Sequence, residues 1–172
     1  TIGGAGAGEG NIISGNTLDG VRVLSGSDGA KILGNYIGIN GAGDAALPNG
    51  HNGIMLYSDH VTVGGTSQGE GNVISGNSYQ GINCGGGGNH IIQGNKIGTD
   101  SSGTAAIPNV QNGIWISKPN VTVGGTTAGS RNVISGNTED GIYIIGNGAP
   151  VDSVVDTVIQ GNFIGVDATG RA

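Results

Sequence analysis

The chain has 172 residues, of which 39 are glycine, only six are aromatic, and about one in ten is charged. Glycine at about three times its usual share of roughly 7 % leaves no room for an ordinary core of packed aromatics. Twelve acids against six bases give a net charge of −6, which argues against a nucleic-acid partner. No apolar run approaches the roughly 18 residues that membrane insertion needs.

Collagen is excluded because proline occurs only four times and glycine follows no triplet period. Disorder is excluded by 35 % apolar residues, mostly Ile and Val in short runs. The single Cys84 allows no intrachain disulfide and has no metal-ligand or Cys-x-x-Cys spacing. Nothing in the sequence asks for a cofactor or a metal.

Internal repetition sets the architecture. NIISGN at 11–16 returns as NVISGN at 72–77 and 132–137; VTVGGT at 61–66 returns at 121–126; NGIML at 52–56 returns as NGIWI at 112–116. The long period is about 60 residues, so the single domain over 1–172 holds about 2.85 copies. Each copy divides into two rungs of three short elements. In chain order the first elements are TIGG, AKILG, VTVGG, HIIQG, VTVGG and TVIQG. The second are NIISGN, NYIGIN, NVISGN, NKIGTD, NVISGN and NFIGVD, and the third are GVRVL, GIMLY, GINCG, GIWIS and GIYII.

Each element is four to six residues long, rich in Ile and Val, alternating, and bounded by Gly, Asn or Asp, so strand is predicted throughout. No helical stripe of 10 residues exists. Three strands recurring in every rung satisfy their backbone by pairing in parallel with the same strand of the next rung. The predicted fold is all-β, a right-handed single-stranded parallel β-helix of about six rungs, roughly 29 Å long at about 4.8 Å per rung.

The stretches NVISGN (132–137), GNKIGTDSSGTAAIPN (94–109), NGIWI (112–116) and VTVGG (121–125) resemble tandem repeats of large bacterial secreted and cell-surface proteins. More broadly, the whole chain resembles the right-handed parallel β-helix proteins of the pectin-lyase-like superfamily. The resemblance implies an extracellular or cell-surface location in a bacterium. In enzymes of that class it would also imply a calcium-binding cluster of acids with an Arg or Lys, or clustered aspartates, on outward strand faces or adjacent loops.

Strand alternation points Ile2, Ile32, Val63, Ile92, Val123 and Ile159 inward from the first strands and Ile13, Ile37, Ile74, Ile97, Ile134 and Ile164 from the second. The third strands contribute Val21/Val23, Ile54/Leu56, Ile82/Cys84, Ile114/Ile116 and Ile142/Ile144. Cys84 is therefore a small buried hydrophobe, and His90 takes the inward phase of Val61 and Val121. His51 and His60 fall in loops without a motif. Asn11, Asn35, Asn72, Asn95, Asn132 and Asn162 open the second strand of every rung as a stacked amide ladder. A second column is expected from Asn16, Asn40, Asn77, Asp100, Asn137 and Asp167, with its acids too far apart to share a calcium ion.

Outward positions read Lys31, Thr62, Ile91, Thr122, Val158 on the first strands and Ile12, Tyr36, Val73, Lys96, Val133, Phe163 on the second. The third strands show Arg22, Met55, Asn83, Trp115 and Tyr143. No outward strand position is acidic, and all 12 carboxylates, Asp152 among them, fall in turns and insertions. No catalytic residue is therefore assigned. Arg22, Met55, Asn83, Trp115 and Tyr143, with Tyr57 beside them, form an exposed column that is either solvated, a protein contact or a carbohydrate contact. Insertions at 66–71, 126–131, 41–51 and 101–111 are read as ordered flaps.

Neither end offers a capping element. The chain is therefore read as a segment of a longer array, or as a protomer associating with copies of itself end to end or laterally. The expected role is a non-enzymatic structural or adhesive segment of a secreted or surface protein. Polysaccharide binding or processing is the alternative, and ice binding through Thr1, Thr62 and Thr122 a third, interrupted by Lys31, Ile91 and Val158.

Overall fold

Glycine and asparagine recur where the chain must turn, so among the described residues no strand runs beyond three residues. The computed structural model describes residues 1–146 and 154–172; Asp152 lies outside them. Six strands form the first sheet: β1 (Ile2–Gly3), β4 (Lys31–Leu33), β7 (Thr62–Gly64), β10 (Ile91–Gln93), β13 (Thr122–Gly124) and β16 (Val158–Gln160). The second holds β2 (Ile12–Ile13), β5 (Tyr36–Ile37), β8 (Val73–Ile74), β11 (Lys96–Ile97), β14 (Val133–Ile134) and β17 (Phe163–Ile164). The third holds β3 (Val21–Val23), β6 (Ile54–Leu56), β9 (Ile82–Cys84), β12 (Ile114–Ile116) and β15 (Ile142–Ile144).

Every strand pairs in parallel with its counterpart one rung away, which makes the chain a parallel β-helix solenoid of the predicted rungs. The ladders are two or three residues long rather than four to six. Flanking glycines such as Gly34 (φ 65°) and Gly94 (φ 68°) take left-handed backbone that ends the strand. At Gly94 the requirement is also spatial, since an added Cβ would press on the backbone oxygens of Gly65 and Gly129.

The inward residues are as the alternation implies. Ile32, Val63, Ile92 and Val123, Ile37, Ile74, Ile97 and Ile134, and Ile54, Leu56, Ile82, Cys84, Ile114 and Ile116 all have zero exposure in one continuous cluster. Burial fades only in the outermost rungs, where Ile144, Ile159 and Ile164 are 45 %, 37 % and 46 % exposed. Those residues have a neighbouring rung on one side only.

The first amide ladder is continuous. Each Nδ2 reaches the next Oδ1: Asn11 to Asn35 at 2.8 Å, Asn35 to Asn72 at 3.0 Å, Asn72 to Asn95 at 2.9 Å, Asn95 to Asn132 at 3.0 Å, and Asn132 to Asn162 at 2.9 Å. The same oxygens accept the preceding backbone N–H, and from Asn35 onward each Nδ2 also donates to a first-strand carbonyl, as Asn72 does to Ile32. The corner thus satisfies its buried polar groups internally.

The second expected column is corrected. Asn16, Asn77 and Asn137 do stack, but the residues between them are Asn49 and Asn109, joined by Nδ2 to Oδ1 bonds of 2.8–2.9 Å. In alternate rungs the chain leaves the corner into a flap at Asn40 or Asp100 and re-enters it at Asn49 or Asn109, so the returning amide takes the place. Asn40, Asp100 and Asp167 instead cap the flap turns. Asp100 Oδ1 accepts the N–H of Thr104 (2.8 Å) and Ala105 (3.0 Å), and Oδ2 accepts Ser102 Oγ (2.6 Å). Burial pushes this carboxyl up, but the Ser102 hydroxyl and the backbone N–H groups of Ala105, Thr104 and Gly103 outweigh it and bring the pKa to about 2.

The flaps close with antiparallel bridges, Ile39 to Ala46 and Thr99 to Ala106, and fold over the second sheet. Hence Val73 and Val133, at outward positions of their strands, are only 4 % and 7 % exposed. Val73 packs with Ile39, Ile107 and Tyr36 in a small cluster outside the solenoid core.

Candidate contact surfaces

Strand pairing places Arg22 beside Met55, Met55 beside Asn83, Asn83 beside Trp115, and Trp115 beside Tyr143. These five residues thus stand in one column on the outer face of the third sheet. Arg22 and Tyr143 are exposed, and Met55, Asn83 and Trp115 are half-buried. Tyr57 follows β6, donates its N–H to Val23 O at 2.8 Å and is 39 % exposed beside the loop at Gly86.

Gly85 shapes the middle of this column. A Cβ there would stand 2.9 Å from Asn83 Oδ1, 3.3 Å from Met55 Cε and 3.6 Å from Trp115 Cζ3, so a side chain at this position would crowd the column. Asn83 Oδ1 is buried and has no hydrogen-bond partner among the described residues. A buried acceptor in that state favours any ligand that brings a donor.

At the Arg22 end, sequence reasoning missed a polar cluster. Asp19 lies beneath the surface and accepts from Arg22 Nε at 2.6 Å, from Asn52 Nδ2 at 2.8 Å and from Asn52 N–H at 3.0 Å. His51 Nδ1 lies 2.9 Å from the same carboxylate, and its ring stacks at 4.4 Å on Tyr79. Burial pushes Asp19 up, while the bonds from His51, Asn52 and Arg22 outweigh it and hold it below the usual carboxylate range. The one sequence clue is that Asp19 and Asn52 each directly precede a strand-opening glycine, Gly20 and Gly53. Among the described residues no three His, Cys, Asp or Glu side chains are grouped to hold a metal ion.

Cys84 is fully buried, and burial alone pushes its thiol up to about 12, so it is not a thiolate at neutral pH. His90, also with zero exposure, lies between Val61 and Val121 in register. Its Nε2 is 3.3 Å from Gly86 O, and Nδ1 has no partner among the described residues. Burial pushes its pKa below the ordinary value. As pH falls below about 6.5 the unfolded chain takes up a proton that the native state refuses, so stability drops. His90→Val is expected to be more stable than the parent at about pH 5, with the gap narrowing toward about pH 8 in thermal unfolding. A gap independent of pH would contradict a buried neutral histidine.

A second surface was not anticipated. On the second sheet the outward residues Ile12, Tyr36, Val73 and Lys96 are the floor of a groove that crosses successive rungs. One wall is the stack of glycine-rich loops at 4–10, 65–71 and 125–131, where Gly69 meets Ala5 and Gly129 meets Thr66. The flaps form the other wall, tied to one another by Ser101 N–H to Gly43 O and Ala168 N–H to Gly103 O, both 2.8 Å. Cavities of about 590 and 330 Å³ along it share Gly34, Tyr36 and Gly69. Neither wall is legible in strand alternation, because each is built by insertions two rungs apart.

On the first sheet, outward Thr62 and Thr122 are separated by Ile91 and flanked by Lys31 and Val158. Comparison with protein-family models, curated proteins and solved structures finds no match for this chain.

Proposed function

We propose that this chain is a rigid, non-enzymatic β-helical segment of a secreted or cell-surface bacterial protein, of the kind found in pectin-lyase-like repeats. In this reading the outer face of the third sheet is its contact surface. The observation that carries the reading is the Met55–Asn83–Trp115–Tyr143 column, held in register by strand pairing over the aliphatic core. Preorganised aromatic side chains lose little entropy on contact, so they suit adhesion to another solenoid. The unpartnered Asn83 Oδ1 between Met55 and Trp115 favours a second reading, in which the same face takes a sugar hydroxyl.

Trp115 is the only tryptophan, so its fluorescence reports on this face alone. The parent chain is expected to associate with rising concentration in sedimentation velocity, with a shift in tryptophan emission. Tyr143→Ala should abolish both without lowering the melting temperature. Association unchanged by Tyr143→Ala and Trp115→Ala would reject the face as a contact surface. An emission shift with neutral glycans and no self-association would select the second reading, and turnover of uronic-acid polymers would overturn the non-enzymatic one.

A further inference from the structure

We infer that the third-sheet face receives a second copy of this chain with its solenoid axis reversed, the two copies being related by a two-fold axis that runs along the strands at Asn83. This rests on the contact-surface reading above and adds the partner, its direction and the residues that meet.

The order of residues along the column is the first observation. Strand pairing sets Arg22, Met55, Asn83, Trp115 and Tyr143 on successive rungs, with Asn83 in the middle. A two-fold axis parallel to the strands therefore brings Arg22 onto the other copy's Tyr143, Met55 onto Trp115, and Asn83 onto its own counterpart. Each meeting is favourable: a guanidinium over a phenol ring, a thioether against an indole, and one amide against another. A two-fold axis parallel to the solenoid would instead set every residue on itself.

Charge separates these two arrangements. Arg22 marks one end of the column, and exposed Glu139 and Asp140 stand at the corner before Tyr143 at the other. Asp140 directly precedes Gly141 as Asp19 precedes Gly20, but three residues on it has Tyr143 where Asp19 has Arg22. Among the described residues Asp140 forms no ion pair. A reversed copy supplies the absent cation at both ends, whereas an aligned copy opposes base to base and acid to acid.

The middle of the column is under-satisfied. Asn83 Nδ2 reaches Gln80 Oε1 only at 3.5 Å, and Oδ1 has no partner among the described residues. Little holds this amide about its soft Cβ–Cγ torsion. Two such amides on the axis can turn and bond reciprocally, each Nδ2 to the other's Oδ1. Gly85, which follows β9, has no side chain to keep the copies apart there. At the corresponding positions after β3 and β15, Leu24 and Ile145 are 58 % and 40 % exposed, and the reversed copy brings one onto the other. The patch spans five rungs, about 24 Å, so the contact is of transient size.

The test is disulfide trapping at the concentration where the parent chain associates. Leu24→Cys and Ile145→Cys chains are mixed in equal amounts under mild oxidation, and the linked peptides are identified by mass spectrometry. The 24-to-145 disulfide is expected to predominate, with little dimer from either variant alone; Cys84 is buried and does not compete. Asp140→Asn should weaken association of the parent by about threefold. Tyr143→Ala separates the two levels of the argument. If the parent does not associate, or associates regardless of Tyr143→Ala, the contact-surface reading fails and the inference with it. If Tyr143→Ala abolishes association but the disulfides are 24-to-24 and 145-to-145, a statistical mixture, or none, the reading stands and the reversed pairing is overturned.

Discussion

Asn95→Ala is expected to cost about 3–5 kcal/mol of unfolding free energy, more than a typical surface substitution by several-fold. Asn95 is 1 % exposed. Its Oδ1 accepts from Asn72 N–H (3.0 Å) and Asn72 Nδ2 (2.9 Å), and its Nδ2 donates to Val63 O, Gln93 O and Asn132 Oδ1. Alanine strands these donors and acceptors where water does not reach, and each buried group left unmatched costs about 1–3 kcal/mol. Asn11, at the exposed end of the ladder, is the control. It gives Nδ2 and N–H to Asn35 Oδ1 and accepts nothing from another ladder amide, so Asn11→Ala should cost below about 1 kcal/mol. Equilibrium urea unfolding followed by far-ultraviolet circular dichroism checks both. Equal losses at the two positions would mean that the ladder is ornament on a core-stabilised solenoid.

The second large effect is expected in the aliphatic stack. Ile92→Ala removes a side chain of zero exposure flanked in register by Val63 and Val123. Both neighbours are pinned by their own strands, so the site relaxes little and the loss should be about 3–4 kcal/mol. Ile159 has the same inward phase on β16 but is 37 % exposed, and Ile159→Ala should cost about 1 kcal/mol or less. The contrast follows from nearest-neighbour stacking, in which an inner residue is sealed by a rung on each side and an outer one by a single rung. Comparable losses at Ile92 and Ile159 in the same unfolding assay would be incompatible with it.

Much of this was legible from the order of residues because a solenoid repeats its environment. Strand alternation fixes which Ile and Val point inward, and recurrence once per rung places the Asn11-to-Asn162 ladder, buries Cys84 and aligns Arg22, Met55, Asn83, Trp115 and Tyr143. Each of these depends only on position within a short strand and on pairing with the same strand one rung away. The insertions obey neither rule. Only the tertiary structure returned Asn49 and Asn109 to the second ladder, covered Val73 with Ile39 and Ile107, brought His51 to Asp19 across 32 residues, and raised walls of loops on either side of Lys96. The physical reason is that a strand residue's direction is set by its own backbone. A flap residue's partners are set by where the loop closes, and loops stack with their counterparts two rungs away, beyond the reach of local periodicity.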